Sequence, residues 1–366
     1  MKTAIVYDWI DKWGGVERVL LTLAEMFPKA DFYTSYFDSK TAPWAKDLNI
    51  KTSFIQQLPD FIKKNRILSI PFYPYAFESF NFSDYDLVIS VSSSFAKSVI
   101  TKPDTLHICY LLTPTRYFWL DTEIYLNSSL KQLGKMRLKK YQEWDYAAAQ
   151  RPDHIISISK TVEQRVKKFY KRNSEIIYPP FDTRYWKDIR PSDQFKKQKY
   201  FLVVSRLEPY KRVDLVVQAF NQLNLPLIVA GKGTERRRLQ RMANRDTTFV
   251  SDLSDQELAR LYLNAQALIM AQEEEFGYVA LEAQFFNCPI IAYKKGGATE
   301  TILENKTGVF FDQQTVKSLA NAVARFSKIE YNLRKTIKEF GPENLERFSS
   351  RAFQNQFKEV VKAKLS

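Results

Sequence analysis

The chain is ordered by one repeating rhythm. Short runs of β-branched and aromatic residues alternate with longer stretches of helical period. In the first half the short runs are "TAIVYD" (3–8), "DFYTSYF" (31–37), "KTSFI" (51–55), "DLVISVSS" (86–93), "LHICYLL" (106–112), "HIISISK" (154–160) and "SEIIYPP" (174–180). In the second half they are "YFLVVSR" (200–206), "LPLIVAG" (225–231), "TTFVSDL" (247–253), "QALIMAQ" (266–272), "CPIIAYK" (288–294) and "GVFFD" (308–312). Most are continuously apolar rather than alternating, as strands are when both faces are buried. Residues 15–27, 160–172, 211–223, 254–265 and 315–328 carry the helical period. Repeated strand–helix units predict parallel sheets covered by helices on both faces.

The rhythm breaks once. "YPPFDTRYWKDIRPSDQFKKQK" (178–199) is rich in proline and charge and has no clear period. The expected order is therefore a doubly wound domain over 1–180, a linker over 181–198, and a second doubly wound domain over 199–345. A C-terminal segment over 346–366 follows. Ligands bind at the carboxyl ends of the strands in such sheets. Two of them facing each other predict a central cleft between domains, where pockets concentrate.

A length of 366 residues suits two domains. No run of eighteen apolar residues predicts a membrane span. "MKTAIVYDWI" reads as a strand, without the length or cleavage site of a signal peptide. Cys109 and Cys288 lie in apolar runs and read as buried thiols, which fits a reducing cytosol. The net charge of +14 points to an anionic partner. Its cations cluster at Lys63, Lys64 and Arg66, at Lys131, Lys135, Arg137, Lys139 and Lys140, and at Arg165, Lys167, Lys168, Lys171 and Arg172. Taken singly, each cluster reads equally as a solvated helix face. Their concentration in the first half favours a membrane surface. With no zinc spacing, helix-turn-helix or RNA-binding signature beside them, nucleic acid is disfavoured.

The candidate chemistry gathers at predicted strand ends. Arg206 ends the strand "YFLVVSR", and Lys211 stands near the start of the next helix. Converging on a helix N-terminus, the two make a phosphate site; alone they read equally as a surface arginine and a capping lysine. Gly14-Gly15 in "DWIDKWGGVERVLL" precedes an amphipathic helix, where a phosphate could approach the backbone. "VAGKGTE" (229–235) and Gly296-Gly297 are similar but weaker turn signals. The stretch "AQEEEFGYVALEAQFF" (271–286) sets Glu273, Glu274 and Glu275 before a helix opened by Gly277. That helix carries one more acid, Glu282, in its second turn. A carboxylate accepts two hydrogen bonds from a vicinal diol, so Glu274 and Glu282 suit different parts of a sugar-bearing ligand.

"SRLEPYKRVDLVVQAF" followed by "EEEFGYVALEAQFFNCPIIAYKKGGATETI" resembles glycosyltransferase family 4, the retaining, sugar-nucleotide-dependent enzymes of GT-B fold. The second stretch resembles that family's Glu-x7-Glu signature, here Glu274 to Glu282. "VYDWIDKWGGVERVL", "YDLVISVSSSFAKSV", "HICYLLTPTRYFW" and "IISISKTVEQRVKKFYKRNSEIIYPPFD" resemble its branch that transfers mannose from GDP-mannose in bacterial polysaccharide synthesis. The resemblance runs over nearly the whole chain and implies an α/β fold of two Rossmann-like domains. It implies that Arg206 and Lys211 hold the donor diphosphate, with Ser205 beside them. Glu282 would bond the ribose and Glu274 the transferred sugar. Phe276, Gly277 and Tyr278 would form the loop over sugar and phosphate, and Gly14 and Gly15 would approach the diphosphate from the N-terminal domain. Three positions depart from the pattern. Leu112 stands where a histidine is usual, Ser251 where glycine is frequent, and Glu275 where glycine is common. The two histidines, His107 and His154, read as structural.

The implied reaction is a front-face transfer of a hexose to a glycan or polyprenyl-linked acceptor. No metal or other cofactor is expected, since Arg206 and Lys211 supply the neutralising charge. A UDP-sugar donor is the alternative within the fold. A catalytically impaired scaffold is a second alternative, supported by Leu112, and a nucleic-acid binder a third, supported by charge alone. The basic and aromatic stretch from Lys63 through "ILSIPFYPYAFESFNF" suits an anionic membrane interface. The expected location is cytoplasmic, at the inner face of the membrane. "ENLERFSSRAFQNQFKEVVKAKLS" reads as a helix that docks on the N-terminal domain through Phe348, Phe353 and Phe357.

Overall fold

The structure is a computed structural model that describes residues 1–120, 122, 131–189, 191 and 200–365, with 131–136 described through their backbone. Seven strands of the first half form one sheet: β1 (Thr3–Tyr7), β2 (Asp31–Thr34), β3 (Asn49–Thr52), β4 (Leu87–Ser92), β5 (Leu106–Leu111), β6 (His154–Ser157) and β7 (Glu175–Ile176). Six of the second half form another: β8 (Phe201–Val204), β9 (Leu227–Ala230), β10 (Thr247–Val250), β11 (Leu268–Met270), β12 (Ile290–Tyr293) and β13 (Gly308–Phe311). The orders are 3-2-1-4-5-6-7 and 10-9-8-11-12-13. Every pairing is parallel. Each order reverses direction once, between β1 and β4 and between β8 and β11. A doubly wound sheet opens its ligand crevice at such a point.

Burial follows the apolar runs. All of β1, β4 and β12 is buried. β3, at a sheet edge, has the polar sequence Asn-Ile-Lys-Thr and is mostly exposed, which blunts edge pairing. The chain divides into one unit of Met1–Pro180 with Phe353–Ser366, and a second of Phe181–Ala352.

Three helices differ from the sequence reading. Thr183–Ile189 is helical although it falls in the expected linker, whose residues 190 and 192–198 lie outside the described residues. Trp186 packs edge-on to Phe286 with ring centroids 5.6 Å apart, and the Tyr185 hydroxyl donates to Asp255; together these contacts anchor that helix. The helix expected over 315–328 runs from Val316 to Glu346, because Leu333, Ile337 and Leu345 continue its buried stripe. The C-terminal helix begins only at Ser350, with the Ser349 hydroxyl accepting the Ala352 amide at 3.2 Å. Phe348 therefore precedes that helix. Its ring packs on Phe276 at 5.5 Å within the second unit, while Phe353 and Phe357 pack on Tyr110 of β5 at 5.6 and 6.4 Å.

At the first unit's reversal point the chain supplies its own anion. Asp8, fully buried after β1, accepts the Ser93, Ser94, Phe95 and Ala96 amides and the Ser93 hydroxyl at 2.6–3.0 Å. These amides belong to the loop leaving β4, so one carboxylate ties the two central strands together. Lys97 in the next turn is buried and bonds Asp145 at 2.6 Å and the Thr115 hydroxyl at 2.9 Å. Asp145 also accepts from Tyr170 and from Trp119, both at 2.7 Å. Buried charges so fully bonded fix loop geometry, and removing one partner strands the others. Asp8→Ala leaves four loop amides without their acceptor and should cost about 3 kcal/mol or more. A fall in the midpoint of urea unfolding measures it, and an unchanged midpoint contradicts the role.

Candidate active site

The second unit's reversal point gathers charge from both sides. β8 ends at Val204, and Ser205 and Arg206 leave it, the Ser205 hydroxyl donating to the Arg206 carbonyl at 3.0 Å. The chain then makes a tight turn over Pro209–Lys211, ended by Arg212 in the left-handed region at φ 53°. This turn presses Lys211 inward, leaving it 8% exposed. From the other side, β11 ends at Met270 and Gln272 and Glu274 follow. Lys211 Nζ donates to Glu274 Oε1 at 2.5 Å, and Gln272 Nε2 donates to the same oxygen at 2.9 Å. Arg206 Nη2 donates to the Tyr210 hydroxyl at 2.7 Å, and Lys211 Nζ lies 5.1 Å from the Tyr210 ring centroid. Burial by itself pushes the Glu274 carboxyl up. The charge and hydrogen bond of Lys211, the Gln272 bond and the Arg206 charge outweigh it and hold Glu274 below the ordinary value. Glu274 is thus a carboxylate at neutral pH.

Gly277 heads the next helix, Tyr278–Phe285, at φ +88°. A side chain there would be strained and would crowd Met270 at 3.2 Å. Phe276 is buried between Tyr278 and Phe348 at 5.2 and 5.5 Å. These rings set the direction in which the helix begins. Glu282, 6% exposed, accepts from the Tyr262 hydroxyl at 2.9 Å. Tyr262 belongs to helix Asp255–Asn264 and stacks on Phe286 at 5.9 Å. That bond gives the acid a polar partner inside an apolar stripe. The structure therefore joins Lys211 to Glu274 directly, sets Arg206 within electrostatic reach, and gives Glu282 a separate partner on another helix.

The turn "VAGKGTE" serves packing. A Cβ on Gly231 would fall 1.9 Å from the Ser205 carbonyl, so glycine lets the β9 turn close on the segment that carries Arg206. Ser251 bonds the neighbouring Asp252, which takes φ +58° and pairs with Lys232. Sequence reasoning passed over Gln272, Tyr210 and Tyr262. Their positions, before Glu274, before Lys211 and on a neighbouring helix, carry no motif. Among the described residues no three His, Cys, Asp or Glu side chains form a metal-binding group.

In the first unit, Gly14 is extended and caps helix Gly15–Met26. Glu17, three residues on and 2% exposed, folds back so that Oε2 would lie 3.0 Å from a Cβ on Gly14. Burial pushes the Glu17 carboxyl up to about 7, against its own amide's hydrogen bond and the Lys12 charge. The helix start read as a phosphate approach thus already holds a carboxyl group, a residue the sequence reading did not weigh. Leu112 is buried, with its amide bonded to the Ser92 carbonyl at 2.9 Å. His107 pairs with the Ser90 hydroxyl at 2.8 Å, and burial, with the Arg172 and Arg151 charges, lowers it to about 3, keeping it neutral. His154 lies 3.3 Å from Glu175. Both cysteines are free and buried, Cys109 pushed up to about 11 and Cys288 to about 12 by burial.

The basic clusters separate on inspection. Arg66 turns inward to pair with Asp11 and stacks 4.0 Å over Trp9, while Lys63 and Lys64 pair with Asp60. Arg172 donates to the carbonyls of Ala149, Pro152 and Asp153 at 2.6–3.2 Å. The Lys131 and Lys135 side chains lie outside the described residues. Charge that reads as one surface in sequence is thus partly structural. No described helix is long and apolar enough to cross a membrane.

Two doubly wound parallel units, one carrying a cation–carboxylate edge at its reversal point, are the architecture of the GT-B glycosyltransferases. Residues 13–185 match the model of Glycosyltransferase Family 4, and residues 185–344 that of glycosyl transferases group 1. The chain belongs to glycosyltransferase family 4. It is 28% identical over 269 residues to the alpha-1,3/1,6-mannosyltransferase ALG2 of Mus musculus, a match spanning 64% of each chain. It is 30% identical over 138 residues to a GDP-mannose-dependent alpha-(1-6)-phosphatidylinositol monomannoside mannosyltransferase of Mycolicibacterium smegmatis, covering 33% of this chain and 36% of that one. Anabaena HepE, solved in complex with UDP, superposes with a TM-score of 0.72 at 17% identity, covering 99% of this chain and 100% of that one. At that identity the likeness concerns the fold.

The Glu17 carboxyl gives a signed pH test. Its folded value lies above the ordinary one, so the unfolded chain binds fewer protons between about pH 4.5 and 7. Folding is penalised as pH rises through that window. Glu17→Gln should therefore gain stability over the native chain by roughly 1–3 kcal/mol between pH 5 and pH 8. Urea titrations at both pH values measure the difference, and a constant gap contradicts the burial.

Proposed function

We propose that the protein is a retaining hexosyltransferase that moves mannose from GDP-mannose to a glycan or lipid-linked acceptor. The observation that carries this is the Lys211–Glu274 pair with Arg206 beside it, at the carboxyl ends of β8 and β11. The named activities of the mannosyltransferases it resembles, one of them GDP-mannose-dependent, favour this sugar and base. The same fold accommodates a UDP-sugar.

In this reading Arg206 and Lys211 neutralise the diphosphate as it leaves. Glu274 then exchanges part of its bond to Lys211 for hydroxyls of the transferred hexose. Gly277 and the helix start it opens, with Phe276 and Tyr278, set the loop over sugar and phosphate. Glu282, oriented by Tyr262, accepts from the ribose. Ser205 holds the strand end that carries Arg206. Gly14 and Gly15 offer amides to the diphosphate, and a protonated Glu17 removes the repulsion an anion would otherwise meet there. No covalent nucleophile is assigned. The acceptor hydroxyl attacks on the face the diphosphate leaves, and a leaving-group oxygen takes its proton. Catalysis is then positioning and charge stabilisation, and the two cations take the place of a metal. Leu112, buried and apolar where the family usually has histidine, favours a second reading in which transfer is weak and the protein acts as a scaffold.

The acceptor reading draws on an exposed apolar patch. Phe61 and Tyr75 are 69% exposed, and Ile67 and Leu68 are 49% exposed. They stand on three short helices, Asp60–Lys63, Arg66–Ser69 and Tyr73–Glu78, with Lys63 and Lys64 among them. Apolar tips beside lysines fit the interface of an anionic membrane, and so a lipid-linked acceptor on its cytoplasmic face.

Arg206→Ala, Lys211→Ala and Glu282→Ala should each lower sugar transfer or donor hydrolysis by about a hundredfold or more. Full activity in any two of them overturns the site assignment. Transfer should persist in excess EDTA, and a loss restored by Mg²⁺ refutes the metal-free account. In flotation with anionic vesicles at low salt the native chain should rise with the lipid, and Phe61→Glu/Leu68→Glu should stay behind. Equal flotation of both removes this patch from the interface.

A further inference from the structure

A cavity of about 710 Å³ lies at the opposite end of helix Tyr278–Phe285 from Gly277. Helix Thr183–Ile189, Phe285 and Asn287 after Glu282, and the last turns of helix Val316–Glu346 line it. Three cations reach it, Arg184, Lys187 and Lys338, against one carboxylate, Glu346. Glu346 is engaged by the Ser349 hydroxyl at 3.1 Å. None of the three cations has an ion-pair partner among the described residues. Three like charges around one concavity raise its potential and draw an anion. The cavity thus offers cationic donors and an apolar wall from Phe285 and Leu345. The volume lies within the range of small-ligand pockets, about 300–1,000 Å³.

We propose that this cavity is a regulatory site for a small phosphorylated metabolite. The phosphate pairs with Arg184, Lys187 and Lys338. Two features tie occupancy to the rest of the chain. The cavity touches the helix that carries Glu282, less than one turn beyond that residue. Its walls also begin at Thr183 and end at Glu346, next to the points where the chain passes between units, after Pro180 and after Ala352. A ligand joining those walls couples their positions.

The site does not depend on the donor assignment, and the test separates them. Inorganic pyrophosphate is titrated calorimetrically into the full chain at physiological salt, using Arg206→Ala so that the first edge is disabled. The expected result is saturable binding, weakened at least about tenfold when Lys187→Gln and Lys338→Gln are added. Both lysines are exposed, so the added substitutions should leave the melting temperature without ligand unchanged. If the combined variant does not fold, Arg184→Gln alone, read the same way, replaces it. No saturable binding in Arg206→Ala, or binding indifferent to these substitutions, overturns the proposal. Equal pyrophosphate binding in the native and Arg206→Ala chains supports this cavity while counting against the donor edge.

Discussion

The second unit turns on one ion pair. Lys211 and Glu274 come from loops on either side of the reversal between β8 and β11, and each is largely removed from water. Two such charges are tolerable only together, since either alone would bear the full desolvation cost. The surrounding choices serve that pair. A left-handed Arg212 turns Lys211 inward, Gln272 adds a hydrogen bond to the carboxylate, and Gly231 lets the β9 turn close beside Arg206. Without a ligand the pair neutralises itself. Under the proposed function, a diphosphate and a sugar hydroxyl replace each half of it with a new partner, so little new charge is buried on binding.

The first unit meets the same topology with a different solution. Its reversal point is closed by Asp8, whose carboxylate collects the loop amides after β4. The helix start that follows β1 holds Glu17 over Gly14. An anion reaching that helix start meets a carboxyl that burial pushes up to about 7. The two switch points thus differ, one stabilised by a carboxylate that collects loop amides, the other by an ion pair between two loops.

Most strands were legible because they are continuous apolar runs; β3, polar and exposed at a sheet edge, lies at Asn49–Thr52 rather than over 51–55, whose end turns into the short helical turn Phe54–Gln57. The helix after residue 315 read too short, since its second half buries only three large apolar side chains, Leu333, Ile337 and Leu345, beside the small Gly341 and the polar Asn344. Thr183–Ile189 was hidden because isolated contacts, Trp186 on Phe286 and the Tyr185 hydroxyl on Asp255, hold it rather than a period. Phe348 showed helical spacing with Phe353 and Phe357, yet the cap at Ser349 falls between them. At the site, Arg206, Lys211, Glu274 and Glu282 were legible together through the family resemblance; taken singly, Arg206 and Lys211 read equally as a surface arginine and a capping lysine. Their supports, Gln272, Tyr210 and Tyr262, form partnerships only in three dimensions. The basic clusters misled in part because charge count does not show that Arg66 and Arg172 turn toward the protein.

The most direct measurement is a calorimetric titration of GDP-mannose, UDP-glucose and UDP-GlcNAc into the native chain and into Lys211→Ala. The account predicts that GDP-mannose binds in preference to the others and that Lys211→Ala weakens it at least about tenfold. Absence of binding by every sugar nucleotide, or an affinity untouched by the loss of Lys211, would contradict it.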